Sequence, residues 1–490
     1  MADVADRQGG GGRATELPDK YLPGVDYRDL PEPAGLSKYL GASIIITATA
    51  LGSGELILWP YLTTQLGLGI VWLSVLGISM QFFLNMEIER YTLITGETVV
   101  TGFSRFWLPW GIVFILGAIL PNAWPGWASS GASVITFIFG FSENAVPIIT
   151  MIFLISIGIA ITLSPVVYQT LERVQGVMIA IILLFILVAI VIATDGSAWA
   201  GVVTEAPGGL VKLPSYINEI GAASILGAVA FAGAGGANNL VQSNYIRDKG
   251  MGMGIHIPNI VSPITGEEEA VPSLGYVPES TPENERRFKG WWKVANQEQL
   301  ITFWAIGAIL LVALSVLVFS AIGERANIPS DIGFIQEEAK ALGNIIAPWF
   351  EEFFYVAGFL MLFSTNIGVM DYTARLTGDS LKVTFLRDSE FWSESKIYIT
   401  VVWILIIGGS AIIWSGLQPI FLLVLSATGG GFVMAIYSVL LIILNRRALP
   451  DFAKLRGWRL PIMVLIAIFF VGFSLVLVYQ MITQGPGSFA

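Results

Sequence analysis

Apolar residues in this chain recur in long runs separated by short polar stretches, and this pattern predicts helices that cross a membrane. A helix needs about 20 apolar residues to span the hydrocarbon of a bilayer. Eleven runs have about this length, with approximate limits 37–63, 68–95, 108–139, 146–164, 174–194, 217–244, 299–323, 345–374, 396–414, 417–445 and 460–483. The third run is interrupted by the letters LPNAWPGW, so we expect its upper end to be tilted or re-entrant.

The composition of the chain also indicates an all-α integral membrane protein. Hydrophobic residues make up 54% of the 490 residues and charged residues only 13%, whereas soluble domains have about 25% charged residues. The chain contains no cysteine, which excludes disulfides and thiolate metal sites. Residues 1–35 lack the apolar core of a signal peptide, and we predict that they form a disordered cytoplasmic tail.

Lysine and arginine residues predict the orientation of these helices, because basic residues are retained on the cytoplasmic side. With the N-terminus inside, 23 of the 26 basic residues fall in the tail and the inner loops. The other three, Lys212, Arg325 and Lys340, fall outside. We therefore predict a multi-pass protein of the plasma membrane with a cytoplasmic N-terminus and an extracytoplasmic C-terminus.

One inner loop, residues 247–298, is long and polar. It is too short for an independent domain of the usual size, and we interpret it as a linker rather than as a lid beside a gate. The only histidine of the chain, His256, lies in this loop. A single histidine in a loop is more often solvated than a ligand, so we assign it no role.

Two of the apolar runs carry glycine clusters that are followed at once by polar residues. The first run contains TATALGSGELILWP, residues 47–60, and the sixth contains GAVAFAGAGGANNL, residues 227–240. The two runs are five spans apart and cross the membrane in opposite directions. We therefore predict two inverted five-helix repeats, residues 36–194 and 217–445, followed by an eleventh helix and a short tail, 446–490. Many secondary transporters are organised in this way.

Interrupted helices at matching positions of two repeats indicate the binding site of such a transporter. Where a helix unwinds, its backbone N–H and C=O groups lose their hydrogen-bond partners. In the hydrocarbon region such groups are tolerated only where they are buried in protein or line a water-filled cavity. Glycine permits such a backbone and lets a solute approach closely. We predict non-helical backbone at 51–54 and 232–238, facing each other near the middle of the membrane. The alternative, close helix packing by small residues, explains one cluster better than two matching ones.

Glu55 is the strongest candidate functional residue, because an ionisable group within a span is costly and usually functional. Its alternative role is to cap the helix that resumes after Gly54. For Asp371, pairing with Arg375 four residues on is favoured over a role in transport. The residues predicted to contact the substrate are Gly52, Gly54, Glu55, Ala234, Gly235, Asn238 and Asn239. Those predicted to serve coupling or to support the site are Gln242, Asn366 and Asp371.

The chain resembles the Nramp (natural resistance-associated macrophage protein) metal-ion transporters over roughly residues 35–445. The resemblance rests on LGASIIITATALGSGELILWPYLTTQLGLGIVWLSVLG in the first run and on the glycine-rich sixth run. It implies the LeuT-type fold, in which helices 1 and 6 are broken. The family's Asp-Pro-Gly-Asn motif falls on residues 52–55, where only the glycine matches. Its Met-Pro-His-Asn motif falls on residues 235–238, where only the asparagine matches, and its further histidine falls on Gln242.

These departures from the family change the expected ligand chemistry. The motif methionine, a soft ligand that helps to select transition metals, is absent here. The candidate metal ligands that remain, Glu55 and Asn238, offer hard oxygen atoms, which suit magnesium or calcium. We predict a secondary active transporter that moves a cation by alternating access, in the first place a divalent metal such as magnesium or manganese.

Two other functions stay open on the sequence alone. One is transport of a small organic solute, coupled to protons or sodium. The other is a membrane sensor or scaffold that does not transport. The sequence shows no nucleophile–base pair and no phosphate-binding loop, so we predict no enzymatic activity and no cofactor. The expected partners are the transported cation or solute, a coupling proton and the lipid bilayer, but no nucleic acid.

Overall fold

The fold consists almost entirely of helices. The structure, a computed structural model, describes residues 17–123, 125–164, 166–261, 274–324, 332–415 and 419–484. The first half contains β1 (Asp26–Tyr27), α1 (Leu36–Tyr39), α2 (Ile44–Ala50), α3 (Trp59–Leu66), α4 (Val71–Thr95), α5 (Val99–Phe106), α6 (Trp110–Asn122), α7 (Gly126–Phe139), α8 (Val146–Thr162), α9 (Val167–Ala193) and α10 (Gly196–Val211). The second half contains α11 (Leu213–Ala230), α12 (Gln242–Asp248), β2 (Tyr276–Val277), α13 (Pro282–Gln299), α14 (Ile306–Ile322), α15 (Gly333–Ile345), α16 (Pro348–Thr384), α17 (Glu394–Ile412), α18 (Pro419–Arg447) and α19 (Arg459–Gln484).

The number of membrane segments agrees with the sequence. Among the described residues, ten helical stretches are long and apolar enough to cross a membrane. A further apolar segment consists of α11 and α12, which a non-helical stretch separates. These segments confirm the predicted all-α membrane fold with about eleven spans. The division into two inverted repeats and the orientation relative to the cytoplasm stay predictions.

The third apolar run is divided at the point that its sequence indicated. α6 ends at Asn122 and α7 begins at Gly126. Pro121 lies in the last turn of α6. Pro125 directly precedes α7, and the residue before a proline is disfavoured in a helix, which accounts for the division. Both α6 and α7 contact the broken sixth segment near this division.

The first apolar segment is helical throughout, which corrects one prediction. α2 is followed directly by a π-helix, Leu51–Leu58, and then by α3. Leu51 has right-handed helical angles, φ −62° and ψ −29°, and neither Gly52 nor Gly54 has a positive φ. The predicted non-helical backbone at 51–54 is therefore wrong. What interrupts the regular α-helix is a widened turn with i→i+5 hydrogen bonds, a feature frequent at functional sites.

The sixth apolar segment is broken where the sequence predicted. Between α11 and α12 the backbone is non-helical apart from a short 3-10 turn at Gly236–Asn238. Gly233, Gly235 and Gly236 have φ angles of +150°, +69° and +57°. Residues with a side chain rarely adopt such angles, so this conformation favours glycine. The predicted interruption at 232–238 is confirmed.

The described part of the N-terminal tail is ordered. Disorder was predicted for residues 1–35; residues 1–16 lie outside the described part of the chain, and residues 17–35 pack against the helices. β1 pairs in parallel with β2 of the loop between α12 and α13. The apolar side chains of the tail that become buried are Leu17, Leu22, Val25 and Leu30. Burial of these four side chains explains why this stretch is not disordered.

The polar loop at 247–298 is more than a linker. It contains β2 and most of α13, while residues 262–273 lie outside the described part of the chain. Its strand β2 holds the N-terminal tail through β1. His256 is half-buried with its ring against Tyr276, and this burial together with the charge of Arg28 lowers the pKa of His256 below its ordinary value.

Buried ion pairs join α12, α16 and α17 at one end of the helix bundle. Arg375 pairs with Asp371 at 3.0 Å, as the four-residue spacing predicted. Arg247 of α12 pairs with Asp379 of α16 and Glu394 of α17, each at 2.8 Å. Both arginine side chains are fully buried. Tyr245 and Tyr398 donate their hydroxyl hydrogens to Asp371. The network therefore fixes the end of α12 against two long helices.

Candidate functional site

A small cavity lies where the broken sixth segment meets the first. Its volume is about 20 Å³, which is space for about one water molecule. The end of α2, α6, α7, the stretch 231–238, α16 and α18 form its walls. The lining side chains that can form hydrogen bonds include Thr49, Asn122, Asn238, Thr365, Tyr372 and Ser426, and the other aromatic ones are Trp127 and Phe231.

The lining of this cavity is electrically neutral. Within the described residues it consists of amides, hydroxyl groups, aromatic rings and glycine-rich backbone, with no acidic or basic side chain. Of the predicted substrate contacts, Ala234, Gly235 and Asn238 lie in this wall. The amide nitrogen of Asn238 lies 3.5 Å from the carbonyl oxygen of Ala234. Its Oδ1 has no hydrogen-bond partner in the described part of the structure, so this atom is available to a solute.

Gln81 of α4 holds the broken segment in its shape. Its Nε2 donates to the carbonyl oxygens of Val229, at 3.2 Å, and Ala230, at 2.9 Å. Its Oε1 accepts the backbone N–H of Gly235 at 3.0 Å. The side-chain amide of Gln81 thus provides hydrogen-bond partners for backbone groups that have none within the interrupted helix. Sequence reasoning assigned Gln81 no role; the only signal was one glutamine inside the apolar letters ISMQFFLN.

Asn239 faces α4 and not the cavity. Its Nδ2 donates to Oδ1 of Asn85 at 2.7 Å and to Oε1 of Gln81 at 3.3 Å. Asn85, like Gln81, is a fully buried polar residue of α4. The structure therefore places Asn239 beside Gln81, which holds the broken segment, whereas its neighbour Asn238 lies at the cavity.

The two glycines of the first segment provide close contacts between helices. The backbone N–H of Gly52 donates to Oγ1 of Thr365 in α16 at 2.8 Å. Gly54 lies against the end of α11: a Cβ atom placed there would come within 1.7 Å of the carbonyl oxygen of Phe231. Real Cβ atoms do not approach other atoms so closely. Gly54 is therefore the point at which the first segment touches the break in the sixth.

Glu55 is buried next to this contact but does not line the cavity. Its side chain is 0% exposed. Neither carboxylate oxygen has a hydrogen-bond partner among the residues that the structure describes. Glu55 lies inside the π-helix Leu51–Leu58 and not at the start of a new helix, so the capping role weighed from the sequence has no helix end to act on. An unpaired buried carboxyl group is unfavourable for stability, which favours a functional role.

The three residues predicted to serve coupling lie outside the cavity. Gln242 donates to Oγ of Ser43 and to Glu89, both at 2.9 Å. Asn366 lies 3.9 Å from the sulfur of its helix neighbour Met370. Asp371 belongs to the ion-pair network. Within the described residues, no group of three histidine, cysteine, aspartate or glutamate side chains is placed to hold a metal ion.

Comparison with solved structures shows that membrane transporters share this fold. A histidine-to-alanine variant of the Eremococcus coleocola manganese transporter matches with a TM-score of 0.64 at 12% identity, over 92% of this chain and 89% of that chain. The same transporter bound to an aromatic bis-isothiourea substituted compound matches with a TM-score of 0.62 at 12% identity, over 94% and 90%. MhsT in complex with L-phenylalanine matches with a TM-score of 0.51 at 14% identity, over 91% and 99%. No protein-family model matches the chain, and no curated protein matches it significantly.

These similarities define the class of fold. The chain is a multi-pass membrane protein with the LeuT-type transporter fold, which its resemblance to the Nramp family implied. The matched proteins named here are transporters. At 12–14% identity the likeness establishes the fold, and function has to be argued from the site.

Proposed function

We propose that the chain is a secondary active transporter that binds a small solute between its first and sixth segments and releases it by alternating access. The observation that carries this proposal is the break in the sixth segment. Backbone with irregular conformation at membrane depth is tolerated where it lines a cavity or is buried in protein, and such breaks form the solute sites of transporters. Here Gln81 supports the break and the cavity lies beside it.

The lining of the cavity favours a small uncharged or zwitterionic organic solute. A divalent cation needs several oxygen ligands, which usually include carboxylates, and an uncompensated charge is very unfavourable in a buried site. The lining offers the amides Asn122 and Asn238 and the rings Trp127 and Phe231. Amides and hydroxyl groups orient polar groups of an organic solute, and aromatic rings cover its apolar part.

A cation remains the second candidate because of one observation, the unpaired carboxylate of Glu55. Glu55 shares its π-helix with Gly52, which contacts Thr365 in the cavity wall. A shift between π- and α-helical hydrogen bonding changes which residues of the segment share a face. Such a shift is the route by which Glu55 would reach a cation in another conformation of the transporter.

The size of the cavity requires movement of its walls during transport. A volume of about 20 Å³ is far below the roughly 300 Å³ of the smaller ligand pockets. Gly54 contacts Phe231, which lines the cavity. The proposal therefore places the opening movement between the π-helix and the break.

Uptake into liposomes tests the role of Asn238. We expect wild-type protein to accumulate a labelled solute from a panel of neutral and zwitterionic small molecules. Asn238→Ala removes the unpartnered Oδ1 from the cavity wall, and we expect uptake to fall by roughly tenfold or more, since one hydrogen bond to a buried solute is worth about 1–2 kcal/mol. The matched control is Asn218→Ala, an exposed asparagine of the same interrupted segment, for which uptake should not change.

Two results would contradict the proposal for Asn238. Equal loss of uptake in the Asn218 and Asn238 variants would mean that the effect is not specific to the cavity. Binding of a solute by wild-type protein with no uptake under any ion gradient would favour the alternative of a membrane sensor.

Glu55→Gln distinguishes the two classes of substrate. The change removes the charge and keeps the shape of the side chain. For an organic solute, we expect its uptake to change by less than about threefold and to meet no competition from magnesium or manganese ions. Uptake of labelled manganese or magnesium by wild-type protein, abolished in Glu55→Gln, would instead establish the cation as substrate.

A further inference from the structure

A second polar cluster, separate from the cavity, surrounds Glu89 of α4. Nε2 of Gln242 and Nε2 of Gln299 both donate to Oε1 of Glu89, at 2.9 Å and 2.8 Å. Gln242 also donates to the hydroxyl oxygen of Ser43, and this hydroxyl group donates to Glu298. All five side chains are buried. The cluster therefore joins the start of the first segment, α4, α12 and the junction of α13 with the helix that follows it.

Three oxygen atoms of this cluster have no hydrogen-bond partner in the described part of the chain. They are Oε2 of Glu89, Oε1 of Gln242 and Oε1 of Gln299. The network fixes the orientation of the Gln242 amide. Its nitrogen lies next to Glu89 and to the Ser43 hydroxyl group. Both must accept a hydrogen bond, because the Ser43 hydroxyl group already donates its hydrogen to Glu298. Buried polar atoms without a partner are rare in folded proteins. Three of them on side chains that meet at one carboxylate indicate a missing ligand.

Among the described residues no basic side chain forms an ion pair with Glu89, and the charge of Arg459 acts on it only at longer range. Glu298 accepts four hydrogen bonds, from the backbone of Gly41 and Ser43 and from the hydroxyl groups of Ser43 and Thr302. The nearby basic side chains bind elsewhere: Arg90 and Arg459 both pair with Glu87. A buried carboxylate is normally paired with a cation or hydrogen-bonded at both oxygens, and Glu89 has donors at only one.

We propose that this cluster binds one monovalent cation of the sodium type, with Glu89 as the charged ligand and the amide oxygens of Gln242 and Gln299 as neutral ligands. Hard cations prefer carboxylate and carbonyl oxygens. A proton on Glu89 would satisfy Oε2 and one amide oxygen and leave the other unpaired, whereas one metal cation can take all three oxygens as ligands. A divalent ion requires more negative charge or several retained waters, and the cluster offers one unpaired carboxylate in a fully buried place.

An open groove leads from the surface to the edge of this cluster. Its volume is about 730 Å³, and its walls include Gly41 and Thr302. Both residues donate to Glu298, which Ser43 links to Gln242. Glu172 and Arg173 both line the groove, and Glu172 pairs with Lys249, so these charges balance and do not close the groove to a cation. The groove thus gives a cation a path to the hydrogen-bonded side chains Glu298, Ser43 and Gln242, which lead to Glu89.

Equilibrium binding of radioactive sodium to the purified full-length protein in detergent tests this site. The measurement needs no transport, so its result is independent of the proposed function. We expect one sodium ion to bind per chain. Glu89→Gln should abolish this binding, and Gln299→Met, which keeps the size of the side chain and removes its oxygen, should weaken it by about tenfold or more.

Glu338→Gln is the control for this experiment. Glu338 of α15 is another buried glutamate whose carboxylate oxygens have no partner within the described residues, and it lies outside the cluster, so sodium binding should not change. Thermal unfolding of each variant shows whether it is folded. Absence of sodium binding by the folded wild type, or sodium binding that persists in Glu89→Gln, would overturn the proposal. A wild type that binds no sodium but gains stability in acid, with the gain lost in Glu89→Gln, would identify a proton site instead and overturn it equally.

Discussion

Gly54→Ala is expected to reduce transport strongly and to destabilise the protein, although it adds a single methyl group. That carbon would lie 1.7 Å from the carbonyl oxygen of Phe231, and a backbone atom cannot move aside as a flexible side chain does. The first segment and the end of α11 must separate, which opens the contact beside the cavity. Overpacking of this kind costs about 1–3 kcal/mol or more. We expect a lower unfolding midpoint and uptake reduced by at least roughly tenfold.

Gly358→Ala provides the matched control for this prediction. Gly358 of α16 faces the same first segment, but a Cβ atom there would lie 3.6 Å from Leu56, an ordinary contact. Alanine is favoured over glycine inside a helix by up to about 1 kcal/mol, so this variant should be unchanged or slightly stabilised. The 15 tryptophans of the chain allow unfolding to be followed by intrinsic fluorescence. Normal stability and uptake in Gly54→Ala would mean that the first segment unwinds here after all.

Arg375→Met should cause a large loss of stability. The Arg375 side chain is fully buried and bonds Asp371 twice, at 3.0 Å and 3.1 Å, and Asp248 once. Methionine fills a similar volume but leaves the buried carboxylate of Asp371 without its cation and that of Asp248 with Arg247 alone, at 3.4 Å. Removing one partner of a buried ion pair typically destabilises a protein by about 3–5 kcal/mol. We expect the unfolding midpoint to fall correspondingly.

The control for Arg375 is an arginine in exposed ion pairs. Arg286 pairs with Glu283 and Glu32, and all three side chains are more than half exposed. Such pairs contribute about 0–1 kcal/mol, so Arg286→Met should leave the midpoint nearly unchanged. If both variants lost the same small amount of stability, the network around Arg375 would have to be accessible to water and not buried.

The sequence predicted the membrane segments well because their signal is local. Each segment must be apolar over its whole length, whatever it packs against, so composition alone indicates it. The break at 232–238 was also predictable, since the local sequence supplies both the glycines needed for positive φ and the adjacent polar residues. The pair Asp371–Arg375 followed from its spacing on one helix.

What the sequence could not supply was the identity of the partner that each residue meets. Gly52 and Gly54 looked like the glycines of the sixth segment, but their small size serves contacts with Thr365 and Phe231, far away in the chain. The π-helix then changes which side chains of the first segment share a face, so the direction of Glu55 could not be read from α-helical spacing. Gln81 was missed for the same reason, because its partners lie about 150 residues further on.

The position of Gln81 before the break has a consequence for the biogenesis of the protein. Chains are synthesised from the N-terminus, and their early parts fold first. The segment α11–α12 cannot form all of its backbone hydrogen bonds internally, and unpaired backbone groups are very unfavourable in the hydrocarbon of the bilayer. α4 precedes it in the chain, so the amide that bonds Ala230 and Gly235 is made before the segment that needs it. The order of the helices along the chain thus lets the interrupted segment enter the bilayer when α4, which carries its hydrogen-bond partner, is already in place.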